Sequence, residues 1–143
     1  NISDERWSDL NVTKVTREAL FTESDTVSIH LRHSARTHGF IGKTDLERLG
    51  STGYIVNTSR AEIIDQDALH DALDNNVIAG LATDVFDVEP AQQTHWTVSH
   101  PKVLATPHIG YCTNETFEVF YGQMLEAFQA FYNGKPIRLI EPG

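Results

Sequence analysis

A parallel α/β sheet with helical crossovers is the fold class this sequence predicts, and three observations predict it. Short apolar runs rich in β-branched residues recur at 26–31 (TVSIHL), 54–58 (YIVNT), 79–86 and 103–106. Stretches with helical character separate them, so strand and helix alternate along the chain. At or just after the end of each run stands a polar group: His30, Ser59-Arg60, Asp84 and His108. Open parallel sheets hold their ligands at that edge, beyond the carboxyl ends of the strands.

Each element has its own signature. Residues 16–23 read as a short polar-faced helix, with Glu18 and Ala19 as good helix formers beside Leu20 and Phe21. Residues 26–31 have the look of a buried parallel strand. Thr44, Asp45, Leu46 and Glu47 carry the Thr and Glu spacing of a capping box, opening a brief helix that Gly50 stops. Residues 54–58 form the next strand. Residues 65–75 form a helix that starts on an Asp and keeps Leu69, Ala72 and Leu73 on one stripe. The runs at 79–86 and 103–106 complete a sheet of four or five strands, with 54–58 and 79–85 central. Residues 113–132 place Phe117, Tyr121, Met124, Phe128 and Phe131 at spacings of 4, 3, 4 and 3. That is an amphipathic helix, closed by Asn133-Gly134 and followed by Pro136. Core packing is the simpler use of its aromatic stripe, and a partner interface the sharper one.

Composition narrows the function. The chain has 143 residues, enough for one ordinary domain, and its net charge of −9 argues against broad binding to nucleic acid or anionic membrane. No stretch approaches the ~20 apolar residues of a membrane helix. Cys112 is the only cysteine, which excludes an intrachain disulfide and favours a thiol-reducing, cytoplasmic setting. There is no secretory or basic leader and Met124 is the only methionine, so the chain is expected to begin after processing or inside a longer protein. N-x-S/T triplets at Asn1, Asn11, Asn57 and Asn114 carry little weight, since such triplets are common and Asn57 falls in a buried strand.

Several motifs lead nowhere. Gly42-Lys43-Thr44 resembles the end of a phosphate-binding loop, but Thr37 stands where the first glycine belongs. His30 and His33 have an odd separation, which on a strand points them to opposite faces, so no metal site is expected. The G-x-S-x-G elbow is absent, and Cys112 lacks a cysteine-protease context.

Chemistry concentrates in three segments: 56–60 (VNTSR), 84–90 (DVFDVEP) and 106–110 (TPHIG). Each ends or follows a predicted strand, so all three converge on one edge of the sheet. Arginine offers a fork for a substrate carboxylate or ketone oxygen. Histidine carries the proton that accompanies hydride transfer, and a neighbouring carboxylate favours its imidazolium form. Taken singly, Arg60 reads as a surface charge, Glu89 as a turn residue and His108 as a loop histidine.

Together, the phrases SDTVSIHL, GYIVNTSR, IIDQDALHDAL, IAGLATDVFDVEP and VLATPHIG resemble the C-terminal half of the nucleotide-binding domain of D-isomer-specific 2-hydroxyacid dehydrogenases. The likeness runs from Leu20 to Gly110 and on through the last helix to about Ile140. The separations of 29 residues from Arg60 to Glu89 and 19 from Glu89 to His108 agree with it. The resemblance implies the parallel-sheet half of a Rossmann-type domain with flanking helices, a partial NAD(P)-binding domain over 1–112, and an amphipathic helix and tail over 113–143. It implies Arg60 as the substrate-orienting arginine, Glu89 as the carboxylate partner and His108 as the acid/base. It implies His30, Thr37, Thr58, Ser59, Arg60, Asp84, His108 and Gly110 as the residues beside NAD or NADP, Asp84 against the nicotinamide carboxamide.

The implied reaction is reversible hydride transfer between NAD(P)H and a small 2-keto acid, giving a D-2-hydroxy acid such as those from hydroxypyruvate or glyoxylate, or a phosphoglycerate-like acid. A homodimer is expected for the full-length form. Departures from the family pattern are Arg32 for a common Pro, Ala61 for Gly and Tyr111 for a second Gly after His108. No G-x-G-x-x-G occurs, and Asn1 is expected just past the second strand of the usual fold. Two other readings stand beside this one: a nucleotide-sensing, corepressor-like interaction protein, and an inactive remnant.

Overall fold

A computed structural model describes residues 12–140, which fall into two compact units dividing between His108 and Ile109. The triplets at Asn1 and Asn11 and the expected placement of Asn1 lie outside the described residues. The first unit runs α1 (Arg17–Glu23), β1 (Thr26–Ile29), α2 (Lys43–Leu49), β2 (Tyr54–Asn57), a 3-10 turn (Ala61–Ile63), α3 (Gln66–Asp74), β3 (Gly80–Thr83), α4 (Trp96–Ser99) and β4 (Val103–Ala105). The four strands make one parallel sheet in the order β1-β2-β3-β4, with β2 and β3 central as the sequence predicts.

Side chains sort by the two-residue period of a strand. Val27, Ile29, Ile55 and Leu81 point to one face and are buried with Phe21 of α1, Leu46 and Leu49 of α2, and Leu69, Ala72 and Leu73 of α3. Tyr54 and Leu104 are exposed on the strands. Gly80 permits a close approach: a Cβ there would meet the Lys102 carbonyl at 2.9 Å and the Tyr54 ring at 3.2 Å.

The helix starts follow local hydrogen bonding. Thr16 Oγ1 accepts from the Ala19 N–H, and Asp65 Oδ1 accepts from the Ala68 N–H. The expected capping box of Thr44 and Glu47 does not form. The helix begins earlier, at Lys43, with Gly42 as the N-cap. Asp45 takes the box role, its Oδ2 accepting the Gly42 N–H at 3.0 Å. The same buried carboxylate is held by Arg17, Nε to Oδ1 at 2.9 Å and the terminal nitrogen to Oδ2 at 2.6 Å. The Arg17 guanidinium also lies 4.0 Å from the Phe40 ring centroid. At the other end Gly50, at φ 77°, stops α2 as predicted.

The second unit is dominated by α5 (Asn114–Tyr132), capped by Thr113 Oγ1 accepting from the Thr116 N–H. Its extent agrees with the sequence reading, but its stripe does not serve as core. No residue of α5 is buried, and Met124, Phe128 and Phe131 are each more than 60% exposed. Among the described residues no helix is long and apolar enough to cross a membrane.

Candidate active site

Register builds the site. Ile29, Asn57, Thr83 and Ala105 are paired across the sheet, so all four strands end in one row. The residues that follow, His30, Thr58, Asp84 and Thr106, therefore open side by side along the carboxyl edge. Strands stop short of the sequence runs because the backbone turns away at this row.

After β2, Asn57 shapes the turn. It is almost fully buried; its Nδ2 donates to the Arg60 carbonyl at 2.9 Å and its Oδ1 accepts the Ser59 N–H at 3.0 Å. Ser59 Oγ donates to the Leu31 carbonyl, tying this turn to the segment after β1. Arg60 folds one guanidinium nitrogen back onto the Ser59 carbonyl at 2.6 Å. Ala61 is buried and starts the 3-10 turn, and Arg60 before it keeps an ordinary extended backbone.

After β3, Asp84 is buried and its Oδ1 accepts the Thr106 hydroxyl from the end of β4. Thr83 Oγ1 donates to the Val85 carbonyl at 2.8 Å, which fixes the departure of this loop. Glu89 then turns back: its Oε1 accepts the Phe86 N–H at 3.0 Å, and its Oε2 meets His108 Nδ1 at 2.7 Å. Burial alone pushes the Glu89 carboxyl up, but the Phe86 N–H, the His108 imidazole and the Arg60 charge outweigh it and hold the group below its ordinary range. His108 sits at φ 55°, in the left-handed region that a non-glycine residue rarely occupies.

The pair borders a cleft of about 510 Å³ walled by Phe86, Pro90, Ala91, Val98 and Pro107. Arg60, Glu89 and His108 are thus gathered at one edge with Asp84. His30 and Thr37 stand at the β1 end. His30 Nε2 lies 2.9 Å from Ser28 Oγ, and the Thr37 hydroxyl accepts the Ser34 N–H and donates to the Arg32 carbonyl, each at 2.8 Å. β1 ends at Ile29, so His30 and His33 both lie past the strand on which their opposite facing was expected. Gly110 belongs to the second unit. Sequence reasoning missed the structural roles of Asn57 and Thr106. A polar residue inside the apolar run YIVN was the available signal for Asn57.

Comparisons with known proteins bear on the family and the fold. The sequence model for the NAD binding domain of D-isomer specific 2-hydroxyacid dehydrogenases matches residues 1–110. A D-3-phosphoglycerate dehydrogenase of Bacillus subtilis (strain 168) is 33% identical over 136 residues, which cover 95% of this chain and 26% of the relative. A glyoxylate reductase of Korarchaeum cryptofilum is 35% identical over 127 residues, 89% of this chain and 38% of the relative. The crystal structure of a phosphoglycerate oxidoreductase from Vibrio cholerae superposes with a TM-score of 0.83 at 29% identity, covering 91% of this chain and 42% of that one. The chain therefore spans between a quarter and about two-fifths of the length of these relatives. The parallel sheet and the match over residues 1–110 lead to one conclusion: the chain belongs to the D-isomer specific 2-hydroxyacid dehydrogenase family.

Proposed function

We propose that this chain carries the acid/base histidine, its carboxylate partner and the substrate-orienting arginine of an NAD(P)-dependent oxidoreductase. The reaction is reversible hydride transfer between NAD(P)H and a small 2-keto acid, giving a D-2-hydroxy acid. The observation that carries this reading is the 2.7 Å pairing of His108 Nδ1 with Glu89 Oε2 beside the cleft, with the Arg60 charge acting on the same carboxylate.

The edge residues fit a nicotinamide cofactor by their chemistry. Asp84 offers an acceptor for a carboxamide, and Thr58, Ser59 and Arg60 offer hydroxyls and a cation beside it; His30, Thr37 and Gly110 complete the proposed contacts. When bound, the cofactor supplies the hydride. Glu89 holds the imidazole ring by Nδ1, so Nε2 is the atom that delivers the proton. As the carbonyl carbon gains the hydride, the C=O electron pair moves to oxygen, which takes that proton. Arg60 neutralises and orients the substrate carboxylate.

The names of the relatives, a D-3-phosphoglycerate dehydrogenase, a glyoxylate reductase and a glycerate dehydrogenase, support glyoxylate or a phosphoglycerate-like acid as substrates, and hydroxypyruvate as the keto acid that corresponds to glycerate. The nucleotide-sensing alternative is not favoured by those names. This reading includes residues 1–112 as part of the NAD(P)-binding domain, 113–143 as a helix and tail, a homodimer in the complete protein and a cytoplasmic location. Steady-state NADH or NADPH oxidation by the complete protein with glyoxylate and hydroxypyruvate tests it. Turnover with D-configured product is expected, and no turnover with any small 2-keto acid contradicts it.

A further inference from the structure

The connection between β3 and α4 holds Glu89 on irregular backbone, so its turn is only as fixed as the groups that fasten it. One of those groups, His95, takes no part in the chemistry proposed above. Its ring sits at the N-cap of α4. Nδ1 lies 2.7 Å from the hydroxyl of the buried Thr97 and accepts the Thr97 N–H at 3.4 Å. An accepting Nδ1 puts the ring proton on Nε2, which donates to Asp87 Oδ1 at 2.8 Å. The same ring meets Phe86 edge-on, with 5.8 Å between centroids and 84° between planes.

His95 is the fixed member of these pairs. Its side chain is 15% exposed against 40% for Asp87. The helix behind it is seated on the core, where Trp96 packs against the buried cluster and lies 4.7 Å from the His70 ring of α3. The His95 N–H also donates to the Gln92 carbonyl at 2.9 Å, closing the far end of the loop.

These contacts converge on the anchor of Glu89. Phe86 supplies the N–H that Glu89 Oε1 accepts at 3.0 Å, and Asp87 is the next residue along the chain. Gripping the Phe86 ring and the Asp87 carboxylate together fixes where that N–H points. The Phe86 N–H in turn fixes the carboxylate whose Oε2 meets His108 Nδ1 at 2.7 Å. Precision matters here, because a displacement of about 1 Å in a reacting arrangement can cost ~10²-fold in rate.

We propose that His95 is a positioning residue for keto-acid reduction: through Asp87 and Phe86 it fixes the turn that aims Glu89 at His108. This rests on the reading of Glu89 and His108 given above and adds the device that keeps them paired. The test compares His95→Ala, Asp87→Ala and the double variant with the wild type. NMR carboxyl titration of the chain follows Glu89, and steady-state kinetics of the complete protein follow reduction of glyoxylate or hydroxypyruvate. Both single variants are expected to raise the Glu89 midpoint, because the Phe86 N–H is no longer aimed at Oε1. Through space alone, losing a basic and losing an acidic side chain move a carboxyl in opposite directions, so a rise in both reports position. The turnover number is expected to fall about tenfold in each, the worth of roughly one directed hydrogen bond, with cofactor affinity nearly unchanged. The double variant should be no worse than the singles, since the two side chains act as one contact. His95→Gln keeps a donor near the place of Nε2 and should recover part of the loss. Asp87 is exposed, so its variant reads the tether even where His95→Ala weakens α4.

An unmoved Glu89 midpoint in both single variants, with only a lower denaturation midpoint, makes His95 a packing residue and overturns the proposal. Midpoints that move in opposite directions overturn it too, as does normal turnover in both variants while His108→Gln loses it. Absence of wild-type turnover with every small 2-keto acid is a separate failure: it overturns the acid/base reading, and this proposal with it.

Discussion

His108 and Glu89 bind each other through specific atoms, and this fixes what each substitution removes. His108→Gln in the complete protein takes away the proton donor and leaves the Asp84 and Ser59 contacts in place. Turnover should fall roughly 10²–10⁴-fold with cofactor affinity nearly unchanged, read from steady-state kinetics and a separate cofactor titration. Arg60→Lys keeps the charge and loses the planar fork, so the Michaelis constant for the keto acid should rise and turnover should fall. Glu89 makes a prediction about pH. Its carboxyl is lowered from an ordinary 4.5, so the folded state gains from its ionised form above that value and loses the gain as pH falls through the lowered one. A carboxyl titration by NMR should place the Glu89 midpoint below 4.5 in the wild type and higher in His108→Gln, where the hydrogen bond and the imidazole charge are both gone. These three residues were legible as candidates because each follows an apolar run. Their mutual contact was not: 19 residues separate Glu89 from His108, and only the sheet register and the Phe86 anchor bring them together.

Turns and caps, one level up, show which physical signals travel in sequence. β1 to β4 were legible because parallel strands buried in a sheet read as β-branched runs. The helices α1, α3 and α5 were legible from their caps and periodicity. α4 was not, since four residues carry no period. The start of α2 was misplaced because Asp45 answers to Arg17, 28 residues away, rather than to a cap at Thr44. Asn57 decides the shape of the arginine turn, so Asn57→Ala should reach further than its size suggests. It strips the partners of the Ser59 N–H and the Arg60 carbonyl in a buried setting. Chemical denaturation should show a loss of about 1–3 kcal/mol, and Arg60 should lose its fixed position, raising the Michaelis constant of the complete protein.

For the whole molecule, the division of labour among segments governs the outcome. These 143 residues hold the proposed catalytic trio but contain no G-x-G-x-x-G turn. The isolated chain should accordingly fold around the Leu46, Ile55 and Leu73 core, bind NAD(P)H weakly and turn over nothing detectable, as calorimetry and an NADH-oxidation assay would record. The exposed stripe of α5 had the pattern of a core helix in sequence, and sequence cannot say which surface buries a helix. The central claim is that His108 supplies the proton for keto-acid reduction. Its most direct test is the single-turnover rate of glyoxylate or hydroxypyruvate reduction by the complete protein with saturating cofactor, wild type against His108→Gln. A fall of about 10²–10⁴-fold with the cofactor still bound is the predicted result. Near-normal single turnover in His108→Gln would contradict the account, because the proton would then come from another group.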